Sequence, residues 1–335
     1  MPIHGHAAYE AKQALKPFAY EPGELGPYDV EVRIEFCGIC HSDIHLIDND
    51  WAMSRYPFIP GHEIVGMVTA LGGQVTHLKA GQRVGIGWQA GSCMQCEWCM
   101  RGSENLCSHS AATCVGRHGG YAELVRADSR FAFAIPDELD SASTAPLLCG
   151  GVTVYSPMRH FGVEPWSKVG VVGIGGLGHL AIKFARAFGC EVTAFSSSPG
   201  KEKESRSLGA HHFVLSKDPD QMAKAADSLD FILTTPHTDL DWAAYLNALR
   251  PKGTLCAVGA PATAMLNVSP ILLLLKEKKI CGSNTGGRAT IEEMLAFAAR
   301  HRIGATVEVL PMAKVNAALD KVRAGKARYR MVLKA

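Results

Sequence analysis

The sequence has no long apolar run. Its purest one, residues 271–275, stops at Lys276, far short of the roughly 20 residues a membrane helix needs. Charge imbalance is also missing: 34 Lys and Arg face 32 Asp and Glu, a net charge of +2. That excludes the basic footprint of a nucleic-acid binder. Charged residues make up 20% against 47% hydrophobic, so the low-hydrophobicity, high-charge signature of a disordered chain is absent too. There is no internal repeat, low-complexity segment or long linker. The start, Met1-Pro2-Ile3-His4-Gly5-His6, has no basic stretch leading into an apolar one. A secretory signal is therefore not expected, and the cytoplasm is the expected location. What remains is a globular chain of 335 residues, enough for about two domains at roughly 150 residues each.

Cysteine is the residue in excess, with 11 copies. In a short secreted chain that number would suggest a disulfide scaffold. In a long, unsecreted one, metal binding or catalysis is the better reading. Cys93, Cys96, Cys99 and Cys107 crowd into fifteen residues. Structural zinc takes four tetrahedral ligands, often all thiolates. The loop between them is polar (Glu97, Arg101, Ser103, Glu104, Asn105), so a metal would stand in for a hydrophobic core. An iron–sulfur cluster uses the same ligand type, and a disulfide pair suits a more oxidising compartment; zinc is preferred to both. Other ligand-type residues are dispersed: Cys37-Gly38-Ile39-Cys40-His41-Ser42-Asp43-Ile44-His45, Gly61-His62-Glu63, and Cys149-Gly150-Gly151. No spacing rule joins these patches. A catalytic zinc needs about three protein ligands and an open position, and two cysteines with one histidine form one such set. Taken singly, a buried Cys or His usually just packs.

The first 150 residues read as β-rich. Residues 29–36 (DVEVRIEF) alternate polar and apolar, as a half-buried strand does. Residues 64–70 and 83–87 read as further short strands, which together suggest a barrel or sandwich. Beyond 150 the character changes. Residues 168–174 (KVGVVGI) read as a buried parallel strand, 177–188 as a helix and 191–196 as a strand. Further strands are expected at 213–215, 231–234, 254–258 and 328–333, and helices at 292–301 and 312–324. Such alternation implies βαβ units and a parallel sheet, hence an α/β fold.

Gly173-Ile174-Gly175-Gly176-Leu177-Gly178 matches GxGxxG, between a predicted strand and a predicted helix. In a dinucleotide site the first glycine permits the tight turn, the second admits the pyrophosphate, and the third lets helix and strand pack closely. The helix N-terminus adds unpaired N–H groups and partial positive charge. An NAD site places an acidic residue about 20 residues on. Here Ser196-Ser197-Ser198 leads to Pro199-Gly200-Lys201, with Lys203 and Arg206 nearby and no carboxylate at that place. Hydroxyls and cations suit a 2′-phosphate, so NADP(H) is expected over NAD(H).

Together these residues resemble the zinc-dependent medium-chain alcohol dehydrogenases over essentially the whole chain. Gly61-His62-Glu63-x-x-Gly66, the four-cysteine loop and GxGxxG stand in that family's order. Residues 37–43 (CGICHSD), 146–157 (PLLCGGVTVYSP) and the serine run are most similar to its cinnamyl alcohol dehydrogenase branch. That branch prefers NADP and reduces aromatic and other aldehydes. Residues 84–99 also look like the yeast-type ethanol enzymes. The resemblance implies two zinc ions per chain. Cys40, His62 and Cys149 would hold the catalytic one, with Glu63 as an exchangeable ligand and Asp43 orienting His62. Cys93, Cys96, Cys99 and Cys107 would hold the structural one. Ser42 and His45 match the proton-relay positions, Thr153 a nicotinamide contact, and Arg330 a pyrophosphate contact. Imidazole exchanges protons near neutral pH, which suits the end of a relay.

The implied architecture is a GroES-like β barrel over 1–152 and 290–335, and an inserted Rossmann domain over 153–289. The active site would lie in the cleft between them, and the chain would form a homodimer or homotetramer. The substrate would be a small alcohol or aldehyde, with Trp51 and Trp88 as an aromatic pocket wall. Cys37, Cys114, Cys190, Cys256 and Cys281 read as packing residues. Three rival readings are an NAD-dependent ethanol-type or polyol dehydrogenase, a zinc-free quinone reductase, and a non-catalytic zinc-binding protein. The quinone reductases lack the ligand triplet and the four-cysteine loop.

Overall fold

A computed structural model describes residues 1–259 and 267–335. The chain divides into two units, Met1–Val152 with Thr285–Ala335, and Thr153–Asn284. Among the described residues no helix is long and apolar enough to cross a membrane.

The first unit is built on a seven-stranded, largely antiparallel sheet. Its organising strand is Asp29–Ile39. Val30, Val32 and Ile34 alternate into the core, as the period-two pattern predicts. This strand pairs with three others: Glu63–Leu71, Leu124–Asp128 and Arg330–Lys334. The registers bring chemistry to one end. Gly38 stands opposite Glu63, and Ile39 opposite Met331. Cys40 at the end of one strand, His62 just before the second and Arg330 at the start of the third therefore converge. The core behind them is aliphatic, with Ile39, Leu46, Ile47, Ile59 and Ile64 essentially inaccessible.

The second unit holds a six-stranded parallel sheet. Its strands are β1 (Lys168–Val172), β2 (Glu191–Ser196), β3 (His212–Leu215), β4 (Leu229–Thr234), β5 (Leu249–Ala257) and β6 (Lys279–Gly282). The spatial order is β3-β2-β1-β4-β5-β6, that of a doubly wound dinucleotide-binding sheet. The order reverses between β1 and β4, and ligands of such sheets bind outside the carboxyl ends at that switch point. The turn Gly173–Gly178 leaves β1 at this point. Strands β1, β2 and β4 are buried on both faces, which explains their continuous apolar reading. The helix Gly178–Ala187 buries Leu180, Ala181, Phe184 and Ala185 against the sheet.

Candidate active site

Four thiols in the first unit meet in one loop. Cys93, Cys96, Cys99 and Cys107 place their sulfurs within 4.8 Å of one another. Three edges of this group are 3.5, 3.6 and 3.9 Å long. A tetrahedron of thiolates around zinc, with Zn–S of about 2.3 Å, has edges of about 3.8 Å. The spacing therefore fits one ion, and it is far from the ~2.0 Å of a disulfide. The backbone N–H groups of Gln95 and Cys96 hold the Cys93 thiol down to about 6, while burial pushes Cys99 up to about 11. The protein thus stabilises a thiolate at one corner, and a cation at the centre would have to stabilise the buried one.

The second cluster lies at the convergent end of the barrel sheet. The ligand atoms of Cys40, His62, Glu63 and Cys149 fall within 4.8 Å of one another. Cys40 immediately precedes the helix His41–Asp48. Gly61 presents His62 from a left-handed conformation, φ +100°, and a Cβ there would lie 2.7 Å from the Tyr121 ring. Cys149 follows the turn Ala145–Leu148, which approaches the barrel because Gly87 has no side chain: a Cβ would lie 2.4 Å from Leu148 O.

Asp43 fixes this cluster. Its carboxylate is fully buried and accepts from Cys40 N at 2.9 Å, Gly61 N at 3.0 Å, His62 Nδ1 at 2.8 Å and Tyr121 Oη at 3.1 Å. With Nδ1 donating to Asp43, the His62 Nε2 lone pair points at the two sulfurs. That nitrogen is buried and has no hydrogen-bond partner. A buried polar atom without a partner calls for an explanation, and a metal ion is the one that two thiols and an imidazole supply. The residues present fit zinc. Burial opposes charge on His62, yet Asp43 and Cys149 outweigh it and hold the imidazole well above its ordinary pKa, so positive charge is favoured at this nitrogen. The neighbouring Cys149 hydrogen bond holds Cys40 well below the usual thiol range.

Glu63 has a partner of its own. Arg330 Nη2 donates to both its oxygens, at 2.6 and 2.7 Å, and to Ile39 O at 3.0 Å. Burial pushes the Glu63 carboxyl up to about 8, against the downward pull of Arg330. A Cβ on Gly38 would sit 2.1 Å from Glu63 Oε2, so this glycine makes room for the carboxylate. Arg330, expected at a pyrophosphate, is 5% exposed and engaged with Glu63.

Around the cluster, Ser42 Oγ lies 3.6 Å from Cys40 Sγ. His45, one turn further along the helix, holds Asp50 Oδ2 with Nδ1 at 2.7 Å. Trp88 packs edge-on to His62 at 4.9 Å between centroids and to Trp51 at 6.4 Å; Trp51 lies 4.9 Å from His45. Both tryptophans also pack on the barrel core.

In the second unit Gly173 has φ +84°, and a Cβ on Gly178 would lie 1.7 Å from Gly173 O. Around Gly175 nothing would meet a Cβ within 4 Å, leaving open space at the position where backbone must approach a pyrophosphate. Gly176 and Leu177 complete the turn, and Leu177 caps the helix. Ser196 is buried with its Oγ accepting from Ser198 N at 3.2 Å, while Ser197 and Ser198 are exposed. Lys201, expected to meet a 2′-phosphate, pairs with Glu204 at 3.0 Å. Arg206 likewise pairs with Glu202. Thr153 is buried in the helix Gly150–His160. Sequence reasoning missed Tyr121, whose partner is 78 residues away, and read Cys114 as packing, although it stands within the group formed by Asp43 and His62. A buried tyrosine hydroxyl needs a partner, but no spacing names it.

The alcohol dehydrogenase GroES-like domain family matches residues 26–137, and the zinc-binding dehydrogenase family matches residues 176–300. Aldehyde reductase AdhA of Synechocystis is 45% identical over 332 residues, covering 99% of this chain and 98% of that protein. Probable cinnamyl alcohol dehydrogenase 3 of Oryza sativa is 43% identical over 338 residues, covering 98% and 92%. Among solved structures, a Sorghum bicolor cinnamyl alcohol dehydrogenase superposes with a TM-score of 0.96 at 40% identity, covering 100% of this chain and 98% of that one. The Helicobacter pylori cinnamyl alcohol dehydrogenase complexed with NADP(H) gives 0.92 at 34%, covering 100% and 99%. These proteins and this chain are alike from end to end, and this chain belongs to the zinc-binding dehydrogenases of the alcohol dehydrogenase family.

Proposed function

We propose that this chain is a zinc-dependent aldehyde reductase and alcohol dehydrogenase. It moves a hydride between NADP(H) and a small primary alcohol or aldehyde, aromatic or broad in range. The observation that carries the reading is the buried His62 Nε2, without a hydrogen-bond partner beside Cys40 and Cys149. In this reading those three residues hold the catalytic zinc, and Cys93, Cys96, Cys99 and Cys107 hold the structural one. Bound there, zinc supplies a Lewis acid to the substrate oxygen. NADP(H) supplies or takes the hydride.

The chain's own residues do the rest. Asp43 keeps the proton of His62 on Nδ1, so that Nε2 remains a ligand. Arg330 holds Glu63 in place beside the cluster, where it can exchange with water or substrate as a ligand. Ser42 Oγ holds the proton that the substrate oxygen loses or gains, and His45 carries it outward while Asp50 fixes its ring. Trp88 and Trp51 form the aromatic wall, which suits an aromatic aldehyde. The turn Gly173–Gly178 cradles the pyrophosphate, with Thr153 against the nicotinamide. Ser196, Ser197, Ser198 and Lys201 meet the 2′-phosphate, which competes with Glu204 for Lys201. The unit of residues 1–152 and 285–335 is the catalytic domain, and 153–284 the cofactor domain.

The cytoplasm suits thiolate ligands, which need a reducing compartment. A homo-oligomer suits the exposed Ile271, Leu274 and Leu275, which lie close in sequence before edge strand β6.

The test is kcat/KM with NADPH and with NADH on one aromatic aldehyde, together with metal analysis. About two zinc ions per chain, a preference for NADPH and loss of turnover in Cys40→Ser are expected. An NADH preference would move the enzyme toward the ethanol-type relatives. A Cys40→Ser protein with unchanged turnover would overturn the catalytic zinc.

A further inference from the structure

The second unit contains a cavity that the dinucleotide reading does not use. Lys168, Glu191, His212 and Leu229, the first residues of β1 to β4, line it. It therefore lies at the amino ends of the strands, whereas the Gly173–Gly178 turn leaves the carboxyl end of β1. Its volume is about 300 Å³, the small end of the range for ligand sites. Strand register builds its floor. Lys168 stands opposite Glu191, and Thr193 opposite His212. These four side chains, and Val214 two residues on, thus leave one face of the sheet. Gly170 is on that face without a side chain, and Leu229 takes the space: a Cβ on Gly170 would lie 2.8 Å from Leu229 Cδ1. The wall is the end of the helix Pro219–Lys224, with Lys224 and the following Ala225.

The lining combines three kinds of contact. Val214, Ala225 and Leu229 are buried and give an apolar surface. Thr193 is only 8% exposed, and its hydroxyl has no partner among the described residues. A buried polar group without a partner calls for an explanation, and this one borders the cavity. The charges are unequal. Glu191 is the one carboxylate in the lining, and it is already engaged. Its Oε1 meets His212 Nε2 at 2.7 Å, and its Oε2 lies 3.6 Å from Lys168 Nζ. Lys224 has no ion-pair partner among the described residues, although Asp220 stands one turn before it. Asp218, at the other end of the helix, is occupied by its cap.

A free cation, an apolar surface and an unpaired hydroxyl ask for a ligand with an anionic end, an apolar body and a second polar group. A rigid body loses the least freedom on entering a small space, which favours a ring over a chain. We propose that this cavity binds a small hydroxylated aromatic carboxylate. Its carboxylate meets Lys224, its ring lies against Val214, Ala225 and Leu229, and its hydroxyl pairs with Thr193. The site is separate from the catalytic cluster, whose ligands all belong to the first unit, and it does not depend on which cofactor or substrate the enzyme uses.

The test uses the zinc-loaded enzyme and 4-hydroxybenzoate. The controls are 4-hydroxybenzamide, which lacks the charge, and benzoate, which lacks the hydroxyl. Titrations are followed by ligand-observed NMR and by the methyl signals of Val214 and Leu229. The expected result is one saturable site whose filling shifts both sets of methyls. Lys224→Gln, a change at an exposed position, should weaken 4-hydroxybenzoate at least about fivefold, since charge-assisted contacts are the strong ones, and leave the amide unaffected. Thr193→Val keeps the shape of the side chain and should erase the preference for 4-hydroxybenzoate over benzoate. Carboxylates also bind zinc, so the titration is repeated on Cys40→Ser, where the methyl shifts should persist. An acid that leaves both sets of methyls unmoved, or an amide that binds as tightly as the acid, would overturn the proposal. So would acid binding that either Lys224→Gln or Thr193→Val leaves unchanged. Binding lost in Cys40→Ser would place the carboxylate at the catalytic cluster and likewise end the proposal.

Discussion

Asp43 accepts four hydrogen bonds, from Cys40 N, Gly61 N, His62 Nδ1 and Tyr121 Oη. Every one of its neighbours is a donor, so the site needs a group that only accepts. An asparagine would bring an NH2 group against donors. The least disruptive escape is for His62 to move its proton to Nε2 and accept at Nδ1, which removes the ligand nitrogen from the cluster. Asp43→Asn should therefore retain the structural metal and lose the other. Partners of metal-bound imidazoles are typically worth about 10–100-fold in metal affinity. Dialysis against a graded chelator, followed by metal analysis, should lower the zinc content from about two per chain to about one at a chelator strength that leaves the parent intact. Equal retention by both proteins would mean that Asp43 only supports packing. The same logic applies to Glu63 and Arg330, which are 267 residues apart. Each satisfies the other, so removal of either leaves a buried charge alone.

At the scale of elements, local chemistry sets how stability answers to pH. Asp218 caps the helix Pro219–Lys224, accepting from Asp220 N at 3.0 Å, Gln221 N at 3.2 Å and Gln221 Nε2 at 2.8 Å. The Gln221 N–H and side chain hold the carboxyl below its ordinary value. A depressed folded pKa gives stability that is present above the unfolded value, about 3.9 for Asp, and is lost as pH falls through the folded one. The difference in urea midpoint between the parent and Asp218→Ala should hold steady from neutral pH down to about 5 and shrink below about 4. A difference constant through that range would show that the cap acts without its charge. Where such local signals dominate, the elements were readable in advance. Strand Glu191–Ser196 lies where its pattern puts it, and the helix Gly178–Ala187 follows the glycine turn. Strand Leu249–Ala257 runs five residues further back than its pattern suggests, because Arg250, Pro251 and Lys252 disguise its start. The hairpin Ile3–Ala7 with Lys16–Tyr20 went unread, since Gly, His and Pro give it no alternation. Among site residues the four-cysteine loop is legible because its ligands are neighbours in sequence. Cys40, His62 and Cys149 are tied only by family resemblance, because strand register and a close turn bring them together. The pairing of Arg330 with Glu63 is not legible in the sequence, because it is strand register that sets the two together.

At the scale of the whole molecule, the four-cysteine loop does more than hold a metal. Its outer surface is apolar and exposed, with Trp98, Met100 and Leu106 turned outward, so burial contributes little to its shape. What ties it inward is Glu104, only 4% exposed. Its Oε2 accepts from Arg288 N at 3.0 Å and its Oε1 lies 3.7 Å from Arg288 Nη1. Its backbone oxygen accepts from Gln89 Nε2 at 2.9 Å. Arg288 is the first residue of the helix Arg288–His301, whose own cap position, Gly287, has no side chain to offer. Gly287 also sits so close that a Cβ would lie 2.0 Å from Gly102 O. A carboxylate from the thiolate loop thus caps a helix 184 residues away in sequence, close to Thr285, where the chain rejoins its first unit. A negative charge at a helix N-terminus is worth about 0.3–1 kcal/mol when exposed and up to ~2 when partly buried. Losing a buried, charged hydrogen bond costs about 1.5–3 kcal/mol. Metal in the loop and order in the start of that helix should therefore be lost together. Cys107→Ser should release the loop metal and raise amide hydrogen exchange over residues 288–292. Glu104→Ala should raise exchange at the same amides while keeping the metal, with Glu104→Gln intermediate because its amide oxygen still accepts. Unchanged exchange at 288–292 after loss of the loop metal would show that the helix is held by its own packing, through Ile291, Met294 and Leu295, and that the loop is a local staple only.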